Sequence, residues 1–414
     1  MLQPFRDRFN AGFTEEKYDE LLYRLNHITR TSVEFRVAET PCFFPQSLLD
    51  ELAEAGAALT RQLLDDPNYI EASNQTIPLQ FRVPNENPQP NFMTVDFGFV
   101  RNPDDSLSPR LVEMQAFPSV FGYQDVLVGQ YLEVYKLNRS LQTHLGGLNS
   151  ETYWELLREV IVGDHDPENV VLAEIDPDQQ KTRPDFRVYE DRLHIATVDI
   201  ARLRKQGNRL FYQHGGREIP IHRIYNRAIV DELERKHIQL SFDYRDDLDV
   251  EWAGHPNWYF RISKFSLPYL RHPSVPTAVF LDDWFANRLV EGLPEEREKL
   301  LLKPLYSFAG KGIQFAPTDA ELKAIPVADR HLYLLQERVA FEPVIETPHG
   351  PTQAEIRIMY LWPDGGRLQP AIALVRLGRG LMMGVDHNRD QQWVGGSAAL
   401  GVLVEPVPTE RYSK

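Results

Sequence analysis

Residues 300–313 read LLLKPLYSFAGKGI. The unbroken leucine run Leu300 to Leu302 has the pattern of a strand buried on both faces, and Lys303 stands where that run ends. An ammonium emerging from such a strand suits the α- and β-phosphates of a nucleotide. Gly310 and Gly312 let backbone N–H groups come close to phosphate oxygens, with Ser307 and Lys311 in the same loop. The competing reading is a surface lysine followed by a glycine turn. The segment has neither the GxxxxGK[ST] spacing of a P-loop nor the GxGxxG of a dinucleotide fold.

Working outward, LYLLQERV at 332–339 predicts a second buried strand whose polar end, Gln336 and Glu337, is followed by Val339. In AEIRIMYLW at 354–362, Glu355 and Arg357 are two residues apart, so a strand points both to one face. Arg376 follows the apolar run AIALV, and Asn388 lies in GVDHNRDQQWVGGSA. Strands that each bring an arginine to a shared cleft suit phosphoryl transfer, whose developing negative charge needs fixed cations. The alternative is a cross-strand Glu–Arg network.

Toward the N-terminus, FMTVDFGFV and PRLVEMQAF are short β-rich runs separated by the turn-forming stretch Asn102 to Ser108, which predicts a hairpin. Glu113 and Gln115 share a face, and the hairpin sets Asp96 beside them. This clusters oxygen donors suited to Mg²⁺ shared with phosphate, unless it is simply a polar sheet edge.

Composition narrows the alternatives. A chain of 414 residues suggests two or three domains. Its formal charge of −15 disfavours a phosphate backbone as main partner, so no nucleic acid is expected. No apolar stretch approaches the roughly 20 residues needed to span a bilayer, and MLQPFRDRFN lacks the apolar core of a signal peptide. The single Cys42 excludes an internal disulfide and a thiolate zinc cluster, so a cytoplasmic location is expected.

Helices are predicted to start after Thr14 and Pro45, the second running to about Leu64. Longer spans are expected from about Asp125 to Leu145 and from Ser150 to Val160. From Val170, alternating short strands and helix patterns suggest a small α/β domain. The expected organisation is an N-terminal part over 1–164, an α/β domain over 165–250 and a nucleotide-binding part over 251–414.

Together these pieces resemble the ATP-grasp superfamily, in particular its circularly permuted branch that includes glutathionylspermidine synthase-like proteins. In the unpermuted order, the lysines, glycine loop, adenine strand and acidic-x-Arg strand precede the Asp and Glu-x-Asn metal motif. Here that last element comes early, as Asp96 with Glu113-Met-Gln115. The resemblance implies an α+β, circularly permuted ATP-grasp fold with a smaller α/β domain preceding the nucleotide-binding part. NWYFRISKFSLPYL at 257–270 is similar to the segment carrying the first ATP lysine, which singles out Lys264, and Lys303 resembles the second. The loop over residues 306–312, with Ser307, Gly310, Lys311 and Gly312, resembles the phosphate cover, and Gln336, Glu337 and Val339 the nucleotide strand. Arg357, Arg376 and Asn388 resemble the phosphoryl-stabilising and final polar positions, and Asp96, Glu113 and Gln115 the metal carboxylates and amide.

Two departures are visible. Glu-x-Asn is here Glu-x-Gln, and Thr94 stands where an arginine often precedes the metal aspartate, leaving Arg110 or Arg376 to take its place. Arg223 and Arg227 are candidate contacts for an acidic substrate, or surface charges. The resemblance implies an ADP-forming carboxylate–amine ligase using ATP and Mg²⁺ to join a small-molecule or peptide carboxylate to an amine. The alternatives are an ATP-grasp kinase and a decayed nucleotide-binding protein.

Overall fold

The computed structural model describes residues 2–288, 291–306, 312–380, 383, 388 and 390–403. Its largest sheet brings the two ends of the chain together. Strands β1 (Cys42–Pro45), β2 (Phe92–Arg101) and β3 (Leu107–Gln115) come from the first part of the chain. The last part supplies β15 (Pro343–Ile345), β16 (Thr352–Leu361), β17 (Gln369–Gly378) and β18 (Gly395–Val402). The spatial order is β1-β18-β17-β16-β2-β3, with β15 on β16. The β2–β3 hairpin anticipated from the sequence therefore pairs directly with a strand about 260 residues later, Asp96 lying opposite Arg357.

Strand alternation explains how this sheet is both core and site. On one face Val95, Phe97, Ile356, Ile358 and Tyr360 pack with Leu49, Leu52 and Leu59 of the helix Gln46–Leu64. The opposite face is apolar at one end, where Phe92, Met359, Leu361 and Ile372 join the cluster formed with the helix Phe121–Val134. At its other end the same face carries Asp96, Glu355, Arg357 and Arg376. Gly98 lies directly opposite Glu355, and a Cβ there would meet the Phe341 ring at 2.0 Å, so only glycine lets Phe341 cover that edge.

Three smaller sheets complete the fold. β4 (Val170–Glu174), β5 (Ala196–Asp199), β9 (Arg223–Asn226) and β10 (Glu251–Ala253) form a parallel sheet in the order β10-β9-β4-β5. β6 (Arg204–Gln206), β7 (Arg209–His214) and β8 (Arg217–Ile221) form an antiparallel sheet. β11 (Ala278–Phe280), β12 (Leu300–Pro304), β13 (Gln314–Phe315) and β14 (Tyr333–Glu337) pair as β11-β14-β12-β13, so the leucine run of β12 is a strand between two partners.

Helices begin after Thr14 and Pro45 as expected, and Thr14 accepts from Lys17 N. The helix expected over 125–145 instead spans Phe121–Val134. Lys136 turns to φ +51, and the following backbone is claimed by the main sheet. Gln142 N and Leu145 N donate to Gly401 O and Ala371 O, which removes them from any helix. Among the described residues no helix is long and apolar enough to cross a membrane.

Candidate active site

Strand register assembles the charged end of the main sheet. Asp96 lies between Glu113 of β3 and Arg357 of β16, and Glu355 of β16 lies opposite Arg376 of β17. Arg357 grips Asp96 edge-on, Nε donating to Oδ1 at 2.7 Å and Nη2 to Oδ2 at 2.6 Å. Arg376 Nη2 donates to Asp96 Oδ2 and to Glu355 Oε1. Glu113 Oε1 lies 3.6 Å from Arg357 Nη2 and accepts from Gln115 Nε2 at 2.9 Å. The Glu–Arg network foreseen from the sequence is real, and it is built around Asp96.

Burial and charge set the protonation states. Burial opposes ionisation of Asp96, but Arg357 and Arg376 outweigh it and hold its pKa below the ordinary carboxylate value. Burial pushes Glu355 up to about 7, with Arg376 pulling against it and Asp96 adding to it. Burial also weighs against the charge of Arg376, yet Glu355, Asp96 and Glu113 keep it firmly protonated.

Lys303 reaches this cluster from the other sheet. It is 7 % exposed, and no carboxylate among the described residues pairs directly with it. Burial, reinforced by Lys264, pushes its pKa down to about 8, while Glu113 and Glu355 resist the fall. Lys264 opens the 3₁₀ turn Lys264–Tyr269, and burial lowers its pKa against the pull of Glu113 and Asp231. Both lysines thus sense Glu113, which places the late lysine strand and the early hairpin around one space.

The register of β12 with β14 puts Lys303 opposite Leu334 and Leu301 opposite Gln336, so Lys303 and Gln336 share a face. Gln336 is 1 % exposed, and its Oε1 has no hydrogen-bond partner among the described residues. Glu337 points the other way and ties the two sheets together, accepting from Arg110 Nη2 at 2.6 Å and from Thr277 N at 3.2 Å. Val339 is half-buried just beyond β14. Gly312 adopts φ +80, while Ser307, Gly310 and Lys311 lie outside the described residues. Asn388 is buried, and its Oδ1 accepts from Arg379 N at 3.2 Å, beside the end of β17.

Magnesium prefers oxygen donors in a near-octahedral shell and keeps waters and phosphate oxygens as further ligands. Glu113 and Gln115 fit that requirement as a pair. Both are half-buried, and Gln115 spends its amide N–H on Glu113, which leaves its oxygen for other work. Asp96 presents a different picture, since both its oxygens already accept from guanidinium groups. Among the described residues no group of three His, Cys, Asp or Glu side chains is arranged to hold a metal.

Arg223 and Arg227 part company. Arg223 donates through both terminal nitrogens to Glu251, Asp364 and the Val160 carbonyl, leaving only its Nε without a partner among the described residues, so it is a structural strut. Arg227 is equally buried, yet its Nε and Nη1 have no partner among the described residues. It follows β9 at the carboxyl end of the parallel sheet, where β4 and β9 are neighbours and the chain leaves in opposite directions, the usual crevice of such sheets. Phe117, two residues beyond Gln115, lies under the Arg227 guanidinium at 5.4 Å and meets the Tyr259 ring edge to face at 5.7 Å, which joins this crevice to the charged cluster. Sequence alone offered no means of separating these two arginines, because the difference lies in their distant partners.

No protein-family model matches the chain, and no curated protein matches its sequence. Among solved structures, it is similar to a glutathione synthetase like-effector from Globodera pallida in its apo form, with a TM-score of 0.56 and 11% sequence identity. That match covers 92% of this chain and 96% of the other. The likeness is one of fold, and it is compatible with an ATP-grasp-type architecture like that of glutathione synthetase.

Proposed function

We propose that this protein is a cytoplasmic, ADP-forming carboxylate–amine ligase built on a circularly permuted ATP-grasp fold. The observation that carries the reading is Lys303, a buried ammonium that faces the Asp96–Glu113–Arg357–Arg376 cluster without a direct carboxylate partner among the described residues. An uncompensated buried cation is costly unless it meets an anion, and a triphosphate is the anion such a pocket suits.

In this reading Lys264 and Lys303 bind the phosphates, and Gln336 and Val339 face the base. Glu337 braces that strand through Arg110. Ser307, Gly310, Lys311 and Gly312 form the phosphate cover, and Asn388 supports the end of β17. Glu113 and Gln115 hold Mg²⁺, which supplies charge neutralisation on the phosphates when bound. Arg357 and Arg376 stabilise the γ-phosphoryl group as it passes to a carboxylate oxygen of the acid substrate and ADP departs. The amine then attacks the acyl carbon, phosphate leaves, and the departing phosphate takes the amine proton. The Nε and Nη1 donors of Arg227, without partners among the described residues, suit the anionic end of the acid substrate.

The test is product analysis by mass spectrometry after incubation with MgATP and pooled amino acids, small peptides and polyamines. An amide product formed with equal amounts of ADP and phosphate supports the ligase. A stable phosphorylated product replaces it with a kinase, and nucleotide binding without turnover across the pools identifies a decayed enzyme.

A further inference from the structure

Asp96 is more deeply engaged than a metal-binding carboxylate needs to be. It is fully buried, at 0% exposure. Its Oδ1 accepts from Arg357 Nε, and its Oδ2 accepts from both Arg357 Nη2 and Arg376 Nη2. A divalent cation on the same carboxylate would face two guanidinium groups whose donors are aimed at that very point, with like charges in a dry environment. Glu113 is the contrasting group. It stands at the margin of the cluster, 3.6 Å and 4.0 Å from the same guanidiniums, with its amide neighbour Gln115 beside it.

The arginines gain a fixed geometry from this arrangement. Arg357 presents the Nε–Nη2 edge to Asp96, and no described residue accepts from its Nη1. Arg376 is held at Nη2 by Asp96 and Glu355 together, while its Nε is buried without a partner among the described residues. Gly98, opposite Glu355, and Gly396, opposite Arg376, place no side chain between these groups. Two guanidiniums on neighbouring strands are thereby locked to one carboxylate, each with donor capacity left over.

We propose that Asp96 is a positioning residue: it holds Arg357 and Arg376 as one rigid double-guanidinium clamp for the transferring phosphoryl group and does not ligate the metal, which Glu113 and Gln115 hold. This rests on the ligase reading and deepens it. A carboxylate in this role acts through the arginines, so its loss slows transfer without loosening the metal.

The test is a Mn²⁺ titration by electron paramagnetic resonance in the presence of a non-hydrolysable ATP analogue, on wild type, Asp96→Asn and Glu113→Gln. The expected result is Mn²⁺ affinity within twofold of wild type for D96N and at least tenfold weaker for E113Q. In steady state D96N is expected to lose about a hundredfold in kcat with KM for ATP nearly unchanged. Tenfold weaker Mn²⁺ binding by D96N overturns this assignment alone, and wild type that binds no Mn²⁺ with the analogue overturns the ligase reading and the assignment with it. Should D96N fail to fold, the anomalous signal of Mn²⁺ in wild-type crystals grown with the analogue decides. Metal on Glu113, with Asp96 still gripping both arginines, supports the clamp, and metal coordinated by Asp96 refutes it.

Discussion

Replacing Lys303 by methionine is expected to stabilise the protein while abolishing nucleotide binding. The fall of its pKa from 10.5 to about 8 means that the folded state disfavours the ammonium by about 3 kcal/mol at neutral pH, with the attraction of Glu113 and Glu355 already included. Methionine fills much of the same space in β12 without a charge to desolvate. The sign follows from proton binding. Between pH 8 and 10.5 the unfolded chain holds the lysine proton that the folded chain has lost, so wild-type stability climbs with pH across that window. The variant lacks that climb. Its advantage is therefore greatest below pH 8, up to about 3 kcal/mol at pH 7, and shrinks to about 1.5 kcal/mol at pH 9.5. Urea unfolding of both proteins at the two pH values, followed by tryptophan fluorescence, measures the difference. A variant less stable than wild type at pH 7, or an equal gap at both pH values, refutes the argument that Lys303 is held at a cost for an absent anion.

Further outcomes follow from the same geometry. Wild-type affinity for an ATP analogue is expected to weaken above pH 8, by up to about tenfold per pH unit as Lys303 loses its proton, which calorimetry at a series of pH values checks. Arg227→Ala is expected to raise KM for the acid substrate by about 10- to 100-fold and leave KM for ATP unchanged, because a charge-assisted carboxylate contact is lost away from the nucleotide. Gly395→Ala is expected to cost at least about 2 kcal/mol, since Gly395 sits at φ +110 and a Cβ there meets the Arg36 carbonyl oxygen at 2.4 Å. A melting temperature equal to that of wild type would contradict it.

Local pattern and long-range contact divided what could be read from the chain. The β2–β3 hairpin and the β12 strand were legible because alternation, a leucine run and a turn of Asn, Pro and Asp residues are local signals. Alternation alone also put Glu113 with Gln115 and Glu355 with Arg357 on common faces. The end of the helix at Val134 was not legible, because it depends on Gln142 and Leu145 finding carbonyls on strands more than two hundred residues away. The grip of Arg357 and Arg376 on Asp96 was hidden for the same reason. Neither register across β2, β16 and β17 nor the count of donors on one carboxylate is written in any short window.

Whether the early hairpin and the late lysine strand enclose one triphosphate is decided by a crystal structure with a non-hydrolysable ATP analogue and Mg²⁺. The phosphates are expected between Lys264 and Lys303 on one side and Arg357, Arg376 and Glu113 on the other. An analogue bound elsewhere, or contacting Lys303 while remote from Glu113, would contradict that placement.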